Sequence, residues 1–112
     1  MPDADEIQGL LDEITRRILT ITKPEQIILF GSYARGNAGP ASDLDLLVII
    51  KGITHPRRES TYIRRALRGL LVPIDVIVAT PEQIRRYQHT TSLIYESALR
   101  EGKVLYERTS AS

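Results

Sequence analysis

The residues of this chain best suited to chemistry are a glycine–serine pair and two aspartates that follow it. Gly31-Ser32 is separated by ten residues from Asp43-Leu44-Asp45. Side chains alternate across a strand, so Asp43 and Asp45 are predicted to point to one face, with roots roughly 7 Å apart. Magnesium prefers oxygen ligands and is commonly held by one or two carboxylates together with substrate phosphates. The pattern therefore favours a magnesium site for a nucleoside triphosphate.

The glycine–serine turn is suited to phosphate groups. Gly31 has no Cβ and allows the backbone to approach a phosphate closely. Ser32 offers a hydroxyl group and the predicted start of a helix, whose free N–H groups attract anions. Arg35 adds a positive charge one helical turn later. We predict that Gly31, Ser32 and Arg35 bind the nucleotide.

A third aspartate lies in a later apolar segment. Residues 73–79 are predicted to form another buried strand, and Asp75 is the charged residue within it. An uncompensated buried charge is strongly unfavourable, so Asp75 is expected to have a partner. A metal ion shared with Asp43 and Asp45 is the simplest partner.

Other sites that use similar residues match less well. A Walker loop requires Lys and then Ser or Thr after its second glycine, whereas Asn follows Gly36. An EF-hand loop continues with a central glycine and a final acid, whereas an apolar run follows Asp45. His55 and His89 have no matching ligand cluster, and the chain contains no cysteine. Structural zinc and a thiol nucleophile are therefore poorly supported.

The elements that must position these residues alternate between helix and strand. A helix with an apolar stripe is predicted from about Asp5 to Ile21. The further predicted elements are strands at 27–30 and through the two aspartates to Ile50, an arginine-rich helix between Pro56 and Leu70, the strand at 73–79, a helix capped by Thr80 that runs to about Tyr87, a last helix from Thr91 or Ser92 to Gly102, and a strand at 104–106. The alternation predicts an α/β domain with a small mixed sheet.

Length and composition indicate one domain. The chain has 112 residues, 42% of them hydrophobic, which is typical of a single domain with its own core. We predict one domain over residues 1–108 and a disordered tail at 109–112. The N-terminus lacks a signal-peptide pattern and the apolar runs are too short for a membrane span, so a soluble, cytoplasmic protein is expected. The net charge of +1 does not favour a nucleic-acid binder.

Positive charge is concentrated between Pro56 and Leu70. An apolar stripe there has helical spacing, and arginines cover the other faces. The arginines are Arg57, Arg58, Arg64, Arg65 and Arg68. A solvated face, an acidic partner and the phosphates of a nucleic acid remain open as explanations.

With these motifs the sequence resembles the minimal nucleotidyltransferases of the DNA polymerase beta-like superfamily. The matching segments are 30–36, 42–48 and 74–76, and the resemblance extends over nearly the whole chain, including 101–106. It implies the polymerase beta-like fold, in which helices flank a mixed sheet. It also implies the order and directions of the strands, which make the carboxylates of Asp43, Asp45 and Asp75 converge.

The resemblance further implies transfer of AMP from ATP to an acceptor hydroxyl, with pyrophosphate leaving. Asp43 and Asp45 would hold two magnesium ions, and Asp75 would hold the ion that activates the hydroxyl and would accept its proton. Gly31 and Ser32 would seat the terminal phosphates, with help from Arg35. Proteins of this kind are commonly antitoxins that are paired with a HEPN-type ribonuclease toxin, and some of them silence the toxin by adding AMP to one of its tyrosines. The alternatives are a non-catalytic antitoxin that occludes its partner and an enzyme that nucleotidylates a small molecule such as an antibiotic.

Overall fold

Helices and strands alternate along the chain, as predicted. The computed structural model describes residues 3–39, 41–87 and 98–109. The elements are α1 Ala4–Ile21, β1 Gln26–Phe30, α2 Ser32–Arg35, β2 Leu44–Ile49, α3 Pro56–Ala66, β3 Ile74–Ala79, α4 Pro81–Tyr87 and β4 Lys103–Glu107. Residues 98–101 are also helical and end at Gly102, as predicted, while His89 and the predicted helix start at Thr91 or Ser92 lie outside the described residues.

A mixed sheet forms the centre of the molecule. In the part of the chain that the structure describes, it has four strands in the order β3-β2-β1-β4. Strand β1 is antiparallel to both β2 and β4, whereas β2 and β3 are parallel. The predicted α/β fold with a small mixed sheet is confirmed, and the strands that carry Asp45 and Asp75 are neighbours.

Both faces of the sheet are covered by apolar packing. On one face, α1 and α3 pack on the even-numbered residues of β2 and β3; this core includes Ile14, Ile18, Leu46, Ile63 and Val76. On the other face, the odd-numbered residues pack against Ile84 of α4 and against Ala98; this core includes Leu47, Ile49 and Ala79. Asp45 and Asp75 have the same parity as the second set and therefore belong to the α4 face.

Local signals explain where two of the helices begin. Asp3 caps α1 by accepting a hydrogen bond from the Glu6 N–H (2.8 Å), so the helix starts one residue before the predicted Asp5. At α4, the Thr80 N–H donates to the Gln83 side chain (2.9 Å) and the Gln83 N–H donates to the Thr80 hydroxyl (3.2 Å). This reciprocal capping is what the sequence around Pro81 predicts.

None of the described helices has the length and apolar character needed to cross a membrane.

Strand β3 differs from the prediction of a buried strand. It lies at one end of the strand order among the described residues, and the Asp75 side chain is 52% exposed. The prediction that Asp75 is buried is therefore wrong. An edge position allows water to solvate its carboxylate, so Asp75 does not require a buried partner.

Candidate active site

The turn at Gly31 is packed directly against one of the predicted catalytic aspartates. Strand β1 ends at Phe30, helix α2 begins at Ser32, and Gly31 between them has φ 77°. A Cβ atom on Gly31 would collide with the Asp45 carboxylate. Glycine is therefore needed twice, once for its backbone conformation and once for the close approach. The sequence motif predicted a turn at this position, and the fold places Asp45 against it.

The aspartates of the two parallel strands lie side by side. Asp45 is the registered partner of Asp75 across β2 and β3, and of Phe30 across β2 and β1. Neighbouring strands are about 4.8 Å apart, so the two carboxylates leave the same face close together. Asp43 is exposed and immediately precedes β2, which begins at Leu44. We call Asp43, Asp45 and Asp75 the aspartate edge.

Negative charge is concentrated at the aspartate edge, where the carboxylates repel one another. Burial raises the pKa of the Asp45 carboxyl, and the negative charges of Asp75 and Asp43 raise it further. The positive charge of Arg35 opposes this rise in pKa. The predicted residues thus act on one another across the site, and a bound cation would relieve the repulsion between the carboxylates.

The two remaining predicted residues lie on α2. Ser32 is the first residue of this helix, and no hydrogen bond engages its hydroxyl among the described residues. Arg35, at the end of α2, forms an ion pair with Glu101 (3.6 Å). Arg35 therefore interacts electrostatically with both Asp45 and Glu101.

Asp75 has a partner that the sequence does not identify. An Nη atom of Arg64 lies 3.0 Å from Asp75 Oδ1 and also donates to the Val76 carbonyl oxygen (3.3 Å). Arg64 belongs to α3, which packs on the opposite face, so its side chain reaches around β3 at the sheet's edge. The arginines of α3 are conspicuous in the sequence, but their spacing alone does not reveal which of them meets an aspartate. Arg64 is thus an addition to the predicted site.

The donor groups of the aspartate edge fit magnesium chemically. In the arrangement present, no group of three or more His, Asp or Glu side chains within the described ranges could hold a metal ion, and Asp75 is engaged by Arg64. Magnesium, however, is commonly held by one or two carboxylates while substrate phosphates complete its oxygen shell. Asp43 and Asp45 beside the Gly31 turn supply such a pair. The assignment of these side chains as ligands stays a prediction.

Comparisons with known proteins show which family the chain resembles in sequence. Residues 11–105 match the model of the nucleotidyltransferase domain family. A protein described as a protein adenylyltransferase of Methanocaldococcus jannaschii is 37% identical over 76 residues, which is 66% of this chain and 76% of that protein. The protein adenylyltransferase MntA of Aphanizomenon flos-aquae is 33% identical over 104 residues, which is 87% of this chain and 67% of that protein.

Solved structures share the fold. A crystal structure described as a nucleotidyltransferase from Sulfolobus solfataricus aligns with a TM-score of 0.62 at 25% identity, covering 89% of this chain and 79% of that one. The MNT antitoxin in complex with a tri-AMPylated HEPN toxin of Shewanella oneidensis aligns with a TM-score of 0.56 at 18% identity, covering 90% and 72% of the two chains. At that identity the second match shows the fold alone.

Proposed function

The chain belongs to the nucleotidyltransferase domain family, and we propose that it is a protein adenylyltransferase that transfers AMP from ATP to a hydroxyl group of a partner protein. The observation that carries the proposal is the contact between the Gly31 turn and Asp45, with Asp43 and Asp75 beside it. This contact joins the glycine turn at the start of α2 to carboxylates that favour a cation. The two relatives described as protein adenylyltransferases support the choice of acceptor class.

Each residue of the site has a proposed role. Asp43, Asp45 and Asp75 are the proposed ligands for two magnesium ions, which when bound would neutralise charge on the triphosphate. Gly31 and Ser32 hold the terminal phosphates, and Arg35 adds positive charge beside them. The acceptor oxygen forms a bond to the α-phosphorus as the bond to the pyrophosphate oxygen breaks. Asp75, an exposed member of the aspartate edge, accepts the hydroxyl proton.

The proposed acceptor is a tyrosine of a HEPN-type toxin, so the chain would act as an antitoxin. The support is the shared fold of the MNT antitoxin that was solved with its AMPylated HEPN toxin. The partner protein would present the hydroxyl to Asp75.

The proposal is tested with ATP labelled in the α-phosphate, magnesium and the protein encoded beside this chain. Label should enter the partner, and Asp43→Asn should lower the rate by about a thousandfold or more, because a charged ligand is replaced by a neutral amide. Asp5→Asn is the matched control, since it makes the same change on an exposed residue of α1. A partner that stays unlabelled with the parent chain under these conditions would refute the transferase.

A second candidate, occlusion of the partner without catalysis, is favoured by the contact between Arg64 and Asp75. This ion pair already neutralises part of the aspartate edge without a metal. Neutralisation of the toxin separates the two candidates. If Asp43→Asn binds the partner and still protects cells fully, occlusion is supported; if it binds but no longer protects, transfer is supported.

A further inference from the structure

A cleft beside the aspartate edge carries charge that the proposed transfer reaction does not use. It lies between α3 and β3 and has a volume of about 440 Å³. Helix α3 contributes two arginines and two hydroxyl-bearing residues to the lining, and β3 contributes an apolar wall. These residues are Arg57, Ser60, Thr61 and Arg64, facing Val76 and Val78. We call this space the α3–β3 cleft.

The α3–β3 cleft is positively charged. Residues 56–68 contain five arginines and one acid, Glu59. Arg57 and Arg64 are seven residues apart, so they lie on the same side of α3, two turns from each other. Within the described part of the chain, Arg57 has no acidic partner, whereas Arg64 forms an ion pair with Asp75. The cleft therefore attracts carboxylates, and Arg64 joins it to Asp75 of the proposed active site.

The wall formed by β3 also offers backbone groups. The Leu44 N–H donates to the Pro73 carbonyl oxygen (2.9 Å), so odd-numbered residues of β3 face β2 and even-numbered residues face outwards. The outward carbonyl of Val76 accepts hydrogen bonds from α3 side chains at 3.0 and 3.3 Å. Val78 is the next outward residue, and no described residue bonds to its outward N–H and C=O. Sheet-edge groups that have no partner among the described residues suit the backbone of another polypeptide.

We propose that the α3–β3 cleft binds an acidic, extended segment of the acceptor protein. Its carboxylates would pair with Arg57 and Arg64, and its backbone would bond to Val78 at the edge of β3. The proposal rests on the proposed function, because the contact between Arg64 and Asp75 is what joins the cleft to the transfer site. A segment held there would bring a neighbouring hydroxyl to Asp75.

A polypeptide fits the cleft better than a nucleic acid does. The described lining contains no aromatic side chain on which a base could stack, and one wall is apolar. The chain as a whole has a net charge of only +1, whereas nucleic-acid binders are normally strongly basic. A local cluster of arginines in a nearly neutral chain matches an acidic patch on a protein partner.

Binding is tested by fluorescence anisotropy with a labelled synthetic peptide that alternates glutamate and threonine and contains one tyrosine. The assay contains neither ATP nor magnesium. Arg57→Glu should weaken binding by roughly tenfold, because it turns attraction into repulsion. Arg58→Glu is the matched control, since it makes the same change on an adjacent exposed residue of α3 that does not line the cleft; its effect should stay below about twofold. The Val78 amide signal in NMR spectra should shift when the peptide is added.

Three results would overturn the proposed docking site. The first is an equal loss of peptide affinity in Arg57→Glu and Arg58→Glu. The second is a Val78 amide signal that does not shift when the peptide is added. The third is displacement of the labelled peptide by a single-stranded RNA oligonucleotide more readily than by unlabelled peptide. The transferase is judged separately by the labelling of the partner. If Arg57→Glu labels the partner as fast as the parent chain does, the docking site is refuted and the transferase stands. If the parent chain labels nothing, but Arg57→Glu still binds the peptide more weakly than Arg58→Glu does, the transferase is refuted and the docking site stands.

Discussion

Acidic residues behave in opposite ways on α1 and at the aspartate edge. On α1, Glu13 accepts hydrogen bonds from Arg16 (2.6 and 3.0 Å) and from Arg17 (2.8 Å). These bonds lower the pKa of the Glu13 carboxyl to about 2. At the aspartate edge, burial and the neighbouring acids Asp75 and Asp43 raise the pKa of Asp45 instead. The same chemical group is thus stabilised as an anion in one region and opposed as an anion in the other.

The difference separates a structural role from a functional one. Ion pairs between residues three and four positions apart form wherever a helix surface allows them, and they favour the folded chain slightly. Neighbouring carboxylates work against the folded chain until a cation joins them. Residues that oppose stability are expected at sites that bind or catalyse, where their effect on function outweighs their effect on folding.

Replacing Asp45 should give the largest effect and should move activity and stability in opposite directions. Asp45→Asn is expected to lower AMP transfer by about a thousandfold or more, because a proposed ligand loses its charge. Without magnesium, the same variant should melt a few degrees above the parent chain, since the repulsion from Asp75 and Asp43 is removed. Labelled ATP and calorimetry measure the two effects.

The pH dependence of that stability gain follows from the raised pKa of Asp45. Below its ordinary value of 3.8 the carboxyl is protonated in both the folded and the unfolded chain, so parent and variant should melt alike. As the pH rises through the folded-state pKa, the charged carboxylate destabilises the parent chain, and Asp45→Asn then melts at a higher temperature than the parent. A variant that melts below the parent at neutral pH would show that Asp45 is a structural anion like Glu13.

Replacing Gly31 should give the next largest effect and tests the contact with Asp45. Gly31→Ala places a Cβ against the Asp45 carboxylate and forces alanine to φ 77°, so it should lower the free energy of unfolding by more than about 2 kcal/mol. Gly36→Ala is the matched control, because Gly36 has φ 76° but no atom within 4 Å of the position that a Cβ would occupy. It should cost only about 1 kcal/mol. Denaturant titrations measure both values. If Gly31→Ala and Gly36→Ala lose the same free energy of unfolding, the contact between Gly31 and Asp45 does not contribute to stability.

Replacing Glu13 should give the smallest effect and tests the other side of the comparison. Glu13→Gln removes an anion whose pKa is lowered to about 2, so the parent chain should be slightly the more stable at neutral pH. The difference should persist above the ordinary value of 4.5 and vanish as the pH falls towards about 2, where the parent carboxyl becomes protonated. Thermal melts across this range measure it. AMP transfer should be unchanged, and a loss of activity would contradict a purely structural role.

Local patterns carried most of the fold prediction. The apolar stripe of α1, the strand before Gly31 and the cap at Thr80 each depend on residues close in the chain, and each is found where the sequence predicts it. The sheet's strand order came from the family resemblance, because periodicity does not define which strands pair. The burial of Asp75 was predicted wrongly for the same reason, since an apolar strand can be central or at an edge.

The sequence alone determined the residue types of the site and their places on strands and turns, because chain neighbours and alternation decide these. Only the tertiary structure decided that Asp45 lies against Gly31 and beside Asp75, since parallel pairing joins segments far apart in the chain. It also decided that Arg64 reaches Asp75 around the sheet's edge and that Arg57 borders a cleft there. Contacts across a sheet depend on register and packing, which no local pattern specifies.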